Sequence, residues 1–226
     1  MKQIITLFFL TMLCSKVQGQ HAFRIGLLPG LNVNKSLAGD WGLNFKTESR
    51  LLKTDGLFSE PININLEYGL TDVSAVVSRK LGVKNALATG YLIRFRSGEV
   101  HHRFAQQFTI VRLFDAFRLA HRFSTDQTIV ENDPLAFRLR YRISFDLPLN
   151  GQSTDPKEFY FKLNHEYLNE WQGEDYDLEI RMVPIFGFVI LDSSKIEWGL
   201  DYRLSSFIND NARSSFWLTF NWYLKI

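Results

Sequence analysis

In residues 216–226, Phe-Trp-Leu-Thr-Phe-Asn-Trp-Tyr-Leu-Lys-Ile, every second side chain is a large hydrophobe. Phe216, Leu218, Phe220, Trp222, Leu224 and Ile226 share one face of an extended chain, because successive strand side chains point to opposite sides. Thr219, Asn221 and Lys225 make the other face largely polar. A period of two held over this length excludes a helix and requires a strand with one greasy side. The division recurs elsewhere. Phe137, Leu139, Tyr141, Ile143, Phe145 and Leu147 alternate with Arg138, Arg140, Arg142 and Asp146. Trp41, Leu43 and Phe45 face away from Asn44, Lys46, Glu48 and Arg50, and Trp198, Leu200, Tyr202 and Leu204 face away from Glu197, Asp201 and Arg203.

Alternating segments separated by turn residues fill nearly all of the chain beyond its first twenty residues, and no segment has convincing helical periodicity. The pattern predicts an all-β, single-domain antiparallel barrel of about twelve strands. They fall near 23–34, 40–52, 62–70, 73–81, 86–96, 102–112, 116–128, 136–149, 159–171, 178–191, 196–208 and 214–226. The Thr71-Asp72 turn is the weakest boundary, and losing a pair of strands there would give ten. Asn150-Gly151, Gln172-Gly173-Glu174-Asp175, Asp192-Ser193-Ser194 and Asn209-Asp210-Asn211 supply better reversal signals. Residues 20–226 make one domain of a size that barrels reach without splitting.

At the front, Lys2 precedes an apolar run over residues 4–13, and Val17-Gln18-Gly19 fits a signal-peptidase site, so residues 1–19 read as a Sec-type export signal. The run is too short to span a bilayer as a helix. Cys14 is the chain's one cysteine, and Thr11-Met12-Leu13 lacks the small residue a lipidation site needs just before it. The exported chain then has no thiol and no disulfide. A formal charge of +2, with basic residues scattered among acids, excludes nucleic acid as a partner. A mean hydropathy of −0.11 is low for a membrane protein unless strands do the crossing, since each shows lipid only half its residues. Twenty phenylalanines, eight tyrosines and five tryptophans are enough for aromatic girdles at two bilayer interfaces. A lumen twelve strands wide is too broad for apolar side chains to fill, which assigns the ionic face to the inside. The closed ladder then satisfies every backbone polar group, as hydrocarbon demands.

With this signal, this alternation and the 216–226 terminus, the chain resembles Gram-negative outer-membrane β-barrel proteins over essentially its whole exported length. More narrowly, His102-Arg103-Phe104-Ala105-Gln106-Gln107-Phe108, Phe137-Arg138-Leu139-Arg140-Tyr141-Arg142 and Asn164-His165-Glu166-Tyr167-Leu168-Asn169 resemble an uncharacterised barrel family, a domain of unknown function. Such barrels usually finish in an aromatic residue, and this chain finishes in Ile226. The resemblance implies a monomer in the outer membrane, with outer-membrane lipids and the barrel-assembly machinery as partners. It carries over no catalytic residue, cofactor or metal. Both chain ends are expected on the periplasmic side.

The predicted luminal rows concentrate arginine on successive strands: Arg94, Arg96, Arg103, Arg118, Arg122, Arg138, Arg140 and Arg142. Acids gather on others, with Glu48 and Glu67 early and Glu166, Glu179, Glu197 and Asp201 late, the last four beside Arg181 and Arg203. Opposed walls of unlike charge could guide a small polar or anionic solute. The alternative, preferred on the crowding of long side chains of both signs, is a lumen closed by mutual ion pairs. A barrel-borne lipid hydrolase would need His121 or His165, which sit on apolar rows, but Phe123 rather than a serine follows His121 on its face. His101 and His102 point to opposite sides and suit no metal. Val183, Ile185 and Val189 form a greasy luminal patch beside Pro184, which could mark a bulge, and packing explains the patch better than a bound acyl chain. A secreted soluble barrel that binds lipid is the remaining alternative.

Overall fold

The computed structural model describes residues 22–57, 66–209 and 211–226. The export signal expected at residues 1–19, the first four residues of the strand expected at 62–70, and Asp210 lie outside them. Eleven strands form among the described residues: β1 (Ala22–Ser36), β2 (Trp41–Leu57), β3 (Glu67–Leu81), β4 (Asn85–Arg96), β5 (Glu99–Leu113) and β6 (Arg118–Ile129). They continue as β7 (Ala136–Pro148), β8 (Phe159–Gln172), β9 (Asp175–Leu191), β10 (Ser194–Ser205) and β11 (Arg213–Lys225). Each pairs antiparallel with its neighbour in sequence, and β11 returns to β1, so the sheet closes into a barrel with no free edge.

The closing pair is parallel, in register from Ala22↔Arg213 to Asn34↔Lys225. This follows from the count: a meander reverses at every strand, so its first and eleventh strands run the same way. The expected barrel is present, with eleven strands among the described residues where about twelve were expected, and the correction is to the closing seam, which is parallel instead of antiparallel. The difference arises at Thr71-Asp72, which does not turn. Thr71 pairs with Ser49 and Phe95, and Asp72 pairs with Glu48 and Arg94, both in the interior of β3. Asp72 has no need of a turn, because the Arg94 guanidinium donates to its two carboxylate oxygens at 2.7 and 2.8 Å. The odd count also corrects the placement of both ends at one mouth: β1 and β11 start together at a first mouth, and β11 ends at the second.

Sharp reversals occur where the backbone can make them. Ser97 and Gly98 both have positive φ, 48° and 86°, and join the paired residues Arg96 and Glu99 as a two-residue turn of the mirror-image type that matches strand twist. Gly173, at φ 61°, opens the equivalent turn between Gln172 and Asp175. Pro184 marks no bulge: the pairs Gly199↔Ile185 and Tyr202↔Met182 keep one register on either side of it.

The two faces are inverted relative to a water-soluble domain. Leu218 is 57 % exposed and Phe220 51 %, while the largest side chains under 2 % exposure on their own atoms, among the described residues, are Glu197 and Asp126. Aromatic rings cluster outside near both mouths. Phe137, Trp171 and Tyr176 stack in sequence toward the first mouth. Phe159 lies against Phe188 and Trp198 toward the second, where the Trp222 indole donates to Ser194 Oγ at 3.0 Å.

Candidate functional site

The site is the lumen, and each wall residue reaches it by strand alternation. On β7, Arg138, Arg140 and Arg142 point inward while Leu139 stands exposed outside. Asp126 of β6 is fully buried among them. Arg140 Nε donates to Asp126 Oδ2 at 2.9 Å and a second Arg140 nitrogen also contacts that oxygen, with Arg103 of β5 at 3.4 Å and Arg138 at 3.7 Å. Two of the three arginines have a further partner: Arg103 donates to Thr128 Oγ1 at 2.8 Å, and Arg138 donates to Glu170 at 2.7 Å. One carboxylate on β6 thus holds three guanidiniums from the two strands that flank it.

A second knot lies beside the first. Glu166 of β8 accepts from Arg142 Nε at 2.7 Å and pairs with Arg181 of β9 at 3.2 Å, and Arg181 also contacts Glu179. Asp201 and Arg203 of β10 pair at 2.6 Å, and Lys46 meets Glu48 on β2 at 2.5 Å. Arg94 is held by Asp72. Arg122 stands opposite Arg142 in the β6–β7 register, Arg96 is exposed at the first mouth, and Arg118 lies at the second, 3.6 Å from Asp146. The picture of an arginine wall facing an acidic wall is therefore corrected. Asp126 sits within the arginine-rich arc and Asp72 and Glu166 flank it, and the ion pairs join neighbouring strands or residues two apart on one strand. A sequence row shows which charges face inward, whereas the partner on the next strand depends on register.

The third cluster was not foreseen as a unit. Tyr160 donates to Glu197 Oε1 at 2.6 Å, and the ammonium groups of Lys162 and Lys195 reach the same oxygen at 2.7 and 3.2 Å. Tyr160 can lie flat there because its register partner is Gly187, where a Cβ would run into three atoms of the tyrosine ring. Trp217 of β11 does the same over Gly26 of β1, where a Cβ would come 2.6 Å from the indole. These inward aromatic rings on facing glycines fill lumen that charges do not. Glycines on the partner row were the available signal. Ile185 is buried on the luminal face and packs over Gly199, in keeping with packing as the reason for that patch.

On the outer face, His121 Nδ1 shares a 2.8 Å hydrogen bond with the Tyr141 hydroxyl, and His102 Nδ1 shares one of 2.6 Å with Tyr91. Neither is a serine–histidine pair of the kind an acyl-transfer site needs. His101 turns the other way, toward Glu99 at 3.3 Å.

The family described as a protein of unknown function (DUF2490) matches residues 26–214, from β1 to the start of β11. No curated protein and no solved structure matches the chain.

Proposed function

We propose that this chain, which belongs to the DUF2490 family of proteins of unknown function, spans a Gram-negative outer membrane as a barrel whose lumen is closed by ion pairs. The inversion of its two faces carries this reading. Water offers no reason to bury Asp126 and Glu197 while exposing Leu218 and Phe220, whereas hydrocarbon outside and paired charge inside explain both. The two bands of aromatic rings stand where bilayer interfaces would cross the wall. Among the described residues no helix is long and apolar enough to cross a membrane, and in this reading the strands cross it. They have 12 to 17 residues each, more than the roughly 9–11 a tilted membrane strand needs. Closure is supported by the low exposure of Asp126, Glu166, Arg103 and Arg203 along the lumen.

Fractionation and bilayer recording test the two halves of the proposal. The protein should be recovered in detergent-extracted outer membrane, lack residues 1–19 and migrate differently on gels when unheated. In planar bilayers it should show negligible conductance, and neutralising Arg138, Arg140 and Arg142 together should chiefly lower stability. Recovery as a soluble periplasmic protein would overturn the membrane assignment. A large, steady conductance whose anion preference falls in the triple variant would overturn closure.

A further inference from the structure

At the second mouth the barrel opens into a cavity of about 830 Å³. That is within the range of roughly 300–1,000 Å³ common to small-molecule sites. We propose that it binds a small organic anion carrying a ring or short aliphatic body.

The charge balance comes first. Arg118, Lys162 and Lys195 line the cavity, and the carboxylates beside them are Asp146 and Glu197. Three cations share two anions, 3 − 2 = +1, so the cluster keeps a net positive charge. The rim extends the imbalance, with Lys35 and Lys225 set against the single acid Asp192.

Geometry places the surplus where a ligand can reach it. Glu197 is 2 % exposed and lies beneath the cavity, covered by the Tyr160 hydroxyl and both ammonium groups. The Lys195 side chain is 37 % exposed and the Arg118 side chain 52 %. Asp146 holds its cations loosely, at 3.6 Å from Arg118 and 4.0 Å from Lys162, both beyond hydrogen-bond length. Their N–H groups are therefore open to a better acceptor. Donors of Arg118, Lys162 and Lys195 face the space while Glu197 is buried beneath them, so of the two carboxylates only Asp146 reaches the wall, a balance that favours an anion over a cation.

The rest of the wall mixes polar residues, among them Asn34, Asn44, Gln152 and Ser194, with aromatic ones. Lys195 sits over the rings of Tyr160 and Tyr223, at 5.2 and 4.8 Å, so an anion paired to it would lie beside aromatic surface. Phe114 and Phe117, stacked at 4.5 Å, form a lip on the opposite part of the mouth. Phosphate or sulfate alone would leave this lip uncovered. The Arg142, Glu166 and Arg181 knot lies farther in and is not part of the cavity lining, so the anion stops at this mouth. The inference rests on the cavity and its charges and not on membrane placement, so failure of one leaves the other standing.

Titration calorimetry on the full chain in nonionic detergent tests it with four probes: phenyl phosphate, inorganic phosphate, benzyl alcohol and benzylamine. Phenyl phosphate should bind saturably at one site, about tenfold or more tighter than inorganic phosphate or benzyl alcohol, and weaken as salt rises. Lys195→Gln and Arg118→Gln should each reduce its affinity about tenfold, the effect of losing one charged hydrogen bond. Arg213→Gln, at the first mouth, should leave it unchanged. Should Lys195→Gln fail to fold, Arg118→Gln, on a half-exposed and loosely paired side chain, decides alone. No saturable binding of phenyl phosphate, equal binding of benzylamine, inorganic phosphate binding as tightly as phenyl phosphate, or indifference to Arg118→Gln overturns the proposal.

Discussion

Replacing Asp126 with asparagine removes the one negative charge that three arginines share while keeping the side chain's size. The three do not lose equally. Arg103 retains Thr128, and Arg138 retains Glu170, but among the described residues Asp126 is the one carboxylate that Arg140 contacts within 4 Å. With Asp126 fully buried and the three arginine side chains no more than 21 % exposed, solvent can screen little of the change. Removing one partner of such a buried pair costs about 3–5 kcal/mol, and that is the expected loss for Asp126→Asn. Most of it should reside in the stranded Arg140. The double variant Asp126→Asn with Arg140→Gln should therefore recover at least about 1 kcal/mol, the lower part of the range for coupled neighbours. Equilibrium urea unfolding in lipid vesicles measures both, with the chain's five tryptophans as fluorescent reporters. A loss below about 1 kcal/mol for Asp126→Asn, or no recovery in the double variant, would refute the reasoning.

Two further substitutions test the faces. Leu139→Arg puts a charge on the outer wall and should cost about 2–4 kcal/mol if it lies near the bilayer midplane, measured by the same unfolding assay; an unchanged midpoint would place this face in water. Spin labels should separate the neighbours Leu200 and Asp201, the first accessible to oxygen dissolved in lipid and the second not, and the reverse result would turn the barrel inside out. Gly187→Ala should force the Tyr160 ring off Glu197 and cost about 1–3 kcal/mol. In a Tyr160→Ala background the same change should be close to neutral, and an equal cost in both backgrounds would remove the ring from the explanation.

Residues 137–147 show why the fold was so legible. Arginines and hydrophobes alternate there without exception from Phe137 to Ile143, so whether a side chain faces outward or into the lumen follows from position alone. The same rule places every strand on its correct faces and leaves only reversals to decide. At Thr71-Asp72 it failed, because an aspartate that favours turns in isolation can sit mid-strand once a guanidinium on the next strand satisfies it. Arg94 is twenty-two residues away in sequence, and no local pattern announces that pairing. One turn fewer makes the count odd, and the count alone makes the seam parallel.

The candidate site divides along the same line. Inward charges such as Arg138 and Glu166 were readable from alternation, but their partners were not, because a side-chain pair between strands is fixed by register. Trp217 illustrates the limit: its place on the row of Thr219 and Asn221 turns it inward, but nothing in its own strand says that Gly26 lies opposite it. Register also decides what the charges do together. Arginines on β5 and β7 lying against bare lumen would build a field. The same arginines meeting at Asp126 on the intervening β6 cancel it locally, and each step from Asp126 to Glu170, or from Glu166 to Arg181 and Glu179, repeats the cancellation. At the second mouth Arg118, Lys162 and Lys195 share two acids, and there the surplus positive charge lies on side chains exposed to the opening. Charge in this barrel is therefore structural along the wall and available to a ligand at one end.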